Sequence, residues 1–154
     1  MPAYYLDSSG LVKRYIREVG TGWVRQVCAT GTLGTVHIAQ IAGVETVAAI
    51  TRRVRQRTTS ARDGAAAIAA LKHQLISDYT IVGITDALLQ QAIDLVEKHG
   101  LRGYDAVQLA SALQVQALRQ ASSLPAIVFI SADTNLNAAA TAEGLAVDDP
   151  NAHP

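Results

Sequence analysis

Strand-length apolar segments alternate with helical ones along the whole chain, and that alternation constrains the fold more than any other feature. Ala3–Leu6 stops at Asp7-Ser8-Ser9, and Leu11, Val12, Tyr15 and Ile16 then recur at helical spacing. A second helix is expected over 23–29. Val36 and Ile38 mark a strand over 34–38, followed by a long helix over 39–56 and an alanine-rich helix over 60–77. Residues 79–82 form a third strand. Thr85 or Asp86 opens a helix that ends near Gly100, and another covers 105–120. The clearest strand is 126–130, then come a helix over 132–142 and an edge strand over 145–147. Continuously apolar strands between helices are the pattern of a parallel sheet covered on both faces. Such a sheet places its site beyond the carboxyl ends of the strands. At 154 residues the chain is long enough for one core. It reads as a single domain over 1–150 with a tail at 151–154.

Charge narrows the function. The chain has 13 basic and 13 acidic residues, yet residues 1–77 carry 10 basic against 4 acidic while 78–154 carry 3 against 9. Arg52, Arg53, Arg55, Arg57 and Arg62 supply much of the positive half. They suit a phosphate backbone or an acidic partner, or simply a solvated helix end. Aromatic residues are only 5% of the chain, too few for a stacking platform along a single strand. One cysteine, Cys28, allows no internal disulfide, so a cytoplasmic protein is expected. Neither a signal peptide nor a membrane-length apolar stretch is visible.

Four carboxylates stand where packing alone would not put them. Asp7 directly follows the first strand, and Asp133 follows the strand at 126–130. Glu45 shares a helical stripe with Ile38, Ile41 and Ala48 and needs a partner there: a metal, an arginine or a set of donors. Asp105 lies on the stripe of Leu101, Leu109 and Ala112, and a helix-capping or first-turn role is open to it. Ser8 or Ser9 is expected to cap the first helix, and Ser131 the helix after 126–130, with Asp133 in its first turn. If the strands before Asp7 and Asp133 are neighbours, all four acids converge. Their repulsion would then raise carboxyl pKa values, and an oxygen-binding Mg²⁺ or Mn²⁺ would relieve it. The scattered histidines, with no HExxH or CxxC, do not suit zinc. There is no P-loop, GxSxG elbow or Asp-x-Asp phosphatase motif, and Asp133 lacks the following lysine of a receiver-like domain.

The segments around these acids resemble a known family. Tyr5-Leu6-Asp7-Ser8-Ser9-Gly10-Leu11-Val12-Lys13-Arg14-Tyr15 is similar to the opening of PIN-domain proteins of the VapC toxin type. Ile41-Ala42-Gly43-Val44-Glu45-Thr46-Val47-Ala48-Ala49 resembles their second acidic block. Leu101-Arg102-Gly103-Tyr104-Asp105-Ala106-Val107-Gln108-Leu109-Ala110-Ser111-Ala112 is the closest match, and Phe129-Ile130-Ser131-Ala132-Asp133 resembles the last. The resemblance implies a three-layer α/β/α sandwich on a parallel sheet. It also implies a Mg²⁺- or Mn²⁺-dependent endoribonuclease, the toxin of a toxin–antitoxin pair, which hydrolyses RNA phosphodiester bonds with a cation-activated water. Asp7, Glu45, Asp105 and Asp133 are then the catalytic, metal-holding acids, with Ser9 and Ser131 as supporting hydroxyls. Lys13, Arg14 and Arg52 are candidate phosphate contacts. A cognate antitoxin and a homodimer are the expected partners, with Leu11, Val12, Tyr15 and Ile16 as a docking face or as core. The alternatives are a catalytically silent PIN-like binding module and a metal nuclease acting on DNA. Two departures stand out: Thr134 occupies a position that is basic in many relatives, and Gly43 lies inside the helix of Glu45, where it suits a close helix crossing.

Overall fold

The computed structural model describes residues 2–30 and 35–154. Five parallel strands run in the order β3-β2-β1-β4-β5: β1 Ala3–Leu6, β2 Val36–Ala39, β3 Thr80–Val82, β4 Ile127–Ile130 and β5 Ala146–Asp148. The helices are α1 Ser8–Tyr15, α2 Thr21–Thr30, α3 Ala42–Arg55, α4 Ala61–Ser77, α5 Asp86–His99, α6 Gly103–Ala121 and α7 Thr134–Ala142. The architecture is the expected three-layer α/β/α sandwich. Tyr5, Phe129, Ala39 and Val82 point from the sheet toward Leu88, Leu95, Leu109 and Leu136 of α5, α6 and α7. On the opposite face Leu6, Ile38 and Ile130 meet Leu11 of α1, Val24 of α2 and Leu71 of α4. Apart from His37 on β2, both faces of the central strands are therefore apolar, which is why these strands show little alternation in the sequence.

Chain order explains where a site can form. β1 is central, with β2 and β3 on one side and β4 and β5 on the other. The direction of winding reverses between β1 and β4, and in parallel sheets the crevice outside such a reversal is where ligands bind. Leu6 pairs with Ile130, so Asp7 and the 131–133 segment leave the sheet side by side.

Several local expectations need correction. Asp7, rather than Ser8 or Ser9, caps α1 by accepting from Gly10 N at 2.8 Å. Asp133, rather than Ser131, caps α7 by accepting from Leu136 N at 3.0 Å. A carboxylate outcompetes a hydroxyl at these caps because it also meets the positive end of the helix dipole. Leu11, Val12 and Ile16 are buried, so the face considered for docking is core. The predicted helix over 39–56 begins at Ala42, because Ala39 completes β2. The predicted strand start at Gly34 lies outside the described residues. Gly43 does serve a close crossing, but within the chain: a Cβ there would lie 3.1 Å from Leu75 of α4.

The terminal residues read as a tail are packed. Lys13, only 4% exposed, donates to Val19 O at 2.8 Å and Asn151 Oδ1 at 2.9 Å and pairs with Glu18 at 3.1 Å. His153 stacks on Trp23 and contacts Asp148. A buried ammonium needs all three of its donors satisfied, and residues beyond 150 are required to do it.

Candidate active site

Asp7 is the most confined of the four acids, at 2% exposure. Ser9 Oγ donates to it at 2.7 Å, Ser131 Oγ at 2.9 Å and Gly10 N at 2.8 Å. Gly10 is required for this cradle, since a Cβ there would stand 2.8 Å from Ile130 O. The hydroxyls also tie the two strand ends together: Ser9 Oγ accepts from Ala132 N at 2.9 Å, and Ser131 Oγ accepts from Asp133 N at 3.1 Å. Burial nonetheless pushes the Asp7 carboxyl up to about 7; the Gly10, Ser9 and Ser131 donors oppose the shift, and the nearby charge of Asp105 adds to it.

Glu45, in the first turn of α3, is half-buried. It accepts from Ser8 Oγ at 3.0 Å and from Gln108 Nε2 at 2.8 Å. Gln108 is fully buried and in turn accepts from Tyr5 OH at 2.9 Å. One hydrogen-bonded chain thus links β1, α6 and α3 and fixes the Glu45 carboxylate. Asp105 lies in the first turn of α6 and does not cap it, since the N-cap is Arg102 and no side chain bonds the helix start; of the two local roles open to it, only the first-turn one holds. Its carboxyl is raised by burial and then by the charges of Asp133 and Glu45, with Arg102 working in the opposite direction. Asp7 and Asp133 leave paired strand ends, and Asp105 is near enough to Asp133, Glu45 and Asp7 for their charges to act on one another.

Among the described residues, however, no three of these side chains stand close enough together to form a ready-made metal site. The hydrogen bonds say why. Glu45 is held by Ser8 and Gln108, while Asp133 Oδ1 faces its own helix cap. The donor set still fits a hard divalent cation, being all oxygen and carrying a charge that Arg102 alone does not balance. Asn137, one turn into α7, adds a buried Oδ1 that has no partner among the described residues. A cleft of about 600 Å³ opens beside Asp105 and Asp133, with Arg102, His99 and Asn135 in its walls.

The chain matches the model of the PIN domain over residues 4–142. It belongs to the PIN-domain family. No curated protein sequence matches it, but solved structures do at the level of the fold. PAE2754 from Pyrobaculum aerophilum is 19% identical with a TM-score of 0.63, the alignment covering 98% of this chain and 91% of that one. VapC20 of Mycobacterium tuberculosis, a toxin that cleaves the sarcin-ricin loop, is 17% identical with a TM-score of 0.64 over 99% and 100% of the two chains. A chain of a toxin–antitoxin complex from Klebsiella pneumoniae is 16% identical with a TM-score of 0.58 over 96% and 98%.

Within this PIN domain, the three basic residues expected to meet a phosphate are not gathered with the acids. All three donors of Lys13 are spent on Val19, Asn151 and Glu18, leaving none for a phosphate. Arg14 pairs with Asp78 at 2.8 Å and donates to Tyr79 OH. It lines a separate cleft of about 510 Å³ with Arg17, Arg25 and Arg53. Arg52 is exposed near the end of α3, about 10 Å along the axis from Glu45. Gln108, Tyr5 and Ser8 are site residues that the sequence does not announce. The available signal is that Gln108 lies three residues after Asp105, a polar side chain inside the apolar stripe of α6.

Proposed function

We propose that this PIN domain is a metal-dependent endoribonuclease, the toxin of a toxin–antitoxin pair. The observation that carries the reading is the set of four acids at the β1/β4 reversal, with Asp7 buried in a cradle of donors and raised in pKa by that burial. Asp7, Glu45, Asp105 and Asp133 would hold Mg²⁺ or Mn²⁺, by one or two ions. Such an ion supplies an activated water and offsets charge developing on the scissile phosphate.

The chain's own residues do the positioning. Ser9, Ser131 and Gly10 hold Asp7 in one orientation while it is ionised. Gln108 and Ser8 aim Glu45, and Tyr5 fixes which way the Gln108 amide faces. Asp105 is the flexible member, since no hydrogen bond among the described residues anchors its carboxylate. Arg102, in the wall of the cleft beside Asp105 and Asp133, is a cation placed to meet a phosphate there, and Arg52, exposed further along α3, is a candidate for a more distant one. Similarity to a toxin that cleaves the sarcin-ricin loop and to a chain of a toxin–antitoxin complex supports RNA as substrate and an antitoxin as partner, and a homodimer as the working form is what the family resemblance implies.

The test is cleavage of end-labelled pooled cellular RNA by partner-free protein in Mg²⁺, Mn²⁺ or EDTA, beside Asp7→Asn. Discrete metal-dependent cuts absent from the variant are expected. Folded, partner-free protein that cuts nothing in either metal would refute the assignment and favour a silent binding module. Equal cutting of single-stranded DNA would reassign the substrate.

A further inference from the structure

A third cavity, of about 400 Å³, lies under the carboxyl-terminal half of α6 at the β3 edge of the sheet, among residues the carboxylate site does not use. Its floor includes His37 of β2. This residue is nine-tenths buried, and both its ring nitrogens are shut off from solvent with no hydrogen-bond partner among the described residues. A buried imidazole with neither nitrogen satisfied is costly. Arg119 lines the same cavity. Its Nε donates to Pro125 O at 2.7 Å, and its terminal nitrogens have no partner among the described residues. Burial first, and then the Arg119 charge, lower the His37 pKa and so favour the neutral imidazole, which offers one N–H and one acceptor. No carboxylate lines the cavity. The rest of the wall is largely apolar, through Ile81, Val82, Val115, Leu118 and Leu124, with the uncharged polar residues Thr80, Gln114 and Ser122, and Ile81, Leu118 and Leu124 are exposed at 40%, 63% and 50%.

We propose that this cavity binds a small monocarboxylate with an apolar body, the carboxylate seated between Arg119 and His37 and the body against Val115, Leu118 and Leu124. The requirements match at each point. The cavity lies in the range of small-ligand sites, about 300–1,000 Å³. An arginine fork suits a carboxylate. A turn of the imidazole about its broad χ2 torsion presents the N–H to the same anion, and an apolar body covers side chains now open to water. The site is remote from the β1/β4 edge, so it stands or falls independently of the nuclease reading.

The experiment is a titration of the full chain, labelled with ¹⁵N-histidine, with sodium benzoate and with benzamide, its uncharged counterpart. Benzoate should move the His37 ring signals saturably, with a Kd of about 1 mM or tighter, while those of His73, His99 and His153 stay in place. Benzamide should bind at least about tenfold more weakly, and Arg119→Gln should lose a similar factor for benzoate. No saturable movement of His37, equal binding of benzamide, or shifts common to all four histidines would overturn the proposal. The comparison of the two ligands on the unaltered protein decides the matter even where the variant does not fold.

Discussion

Asp7→Asn should stabilise the metal-free protein while abolishing its activity. The Asp7 carboxyl rises from 3.8 to about 7 on folding because it is buried. About three pKa units at 1.36 kcal/mol each correspond to roughly 4 kcal/mol favouring the neutral form in the folded state. The sign follows from linkage. Below about pH 4 the group is protonated whether folded or not, and it costs nothing. Between about pH 4 and pH 7 the unfolded chain ionises first, so wild-type stability falls by that amount and then levels off. Asparagine keeps the shape without the charge; its Oδ1 accepts from Gly10 N, and the Ser9 and Ser131 hydroxyls can turn to accept from its amide. For a domain of this length, about 4 kcal/mol corresponds to a melting shift on the order of 10 °C. The assay is thermal and urea unfolding of both proteins in EDTA from about pH 4 to pH 8, repeated with Mg²⁺ or Mn²⁺. The difference should vanish at the acid end and be complete at the alkaline end, and added metal should stabilise the wild type more than the variant. A variant no more stable than wild type in EDTA at alkaline pH, or a gain independent of pH, would refute the reasoning.

Three further outcomes test neighbouring features. Gln108→Met leaves Glu45 without one donor and Tyr5 OH without its acceptor; RNA cleavage should fall about tenfold to a hundredfold, with a stability loss of about 1–3 kcal/mol, read by initial rates and urea midpoints. Glu45→Gln removes one of the charges that raise Asp105, so the Asp105 carboxyl should titrate at lower pH in EDTA; carbon-13 chemical shifts check this, and an unmoved or raised value contradicts the shared edge. Lys13→Met should lower stability by about 3 kcal/mol, the cost of breaking a buried pair, without changing RNA cleavage per folded molecule, because Lys13 serves the carboxyl-terminal residues rather than the substrate.

What the sequence determined by itself is local. Continuous apolar runs of strand length, breaks at residues such as Gly100 and helical spacing in between are properties of neighbouring residues, and they are enough to specify a covered parallel sheet. The four acids were legible for the same reason: an aspartate directly after an apolar strand, or a carboxylate on an apolar helical stripe, violates its local pattern. Ser9 and Ser131 came with them through family resemblance. Tertiary structure alone decided how these parts combine. No local pattern states that β1 lies beside β4, yet this pairing joins Asp7 to Ser131 across 124 positions. Nor does one state that Gln108 faces both Tyr5 and Glu45, that Lys13 is consumed by Asn151, or that Leu11 and Ile16 are core. Each of these depends on which distant group satisfies a buried donor, acceptor or apolar surface. That partner exists only once the layers have packed, because burial is what makes an unpaired polar group costly enough to select it.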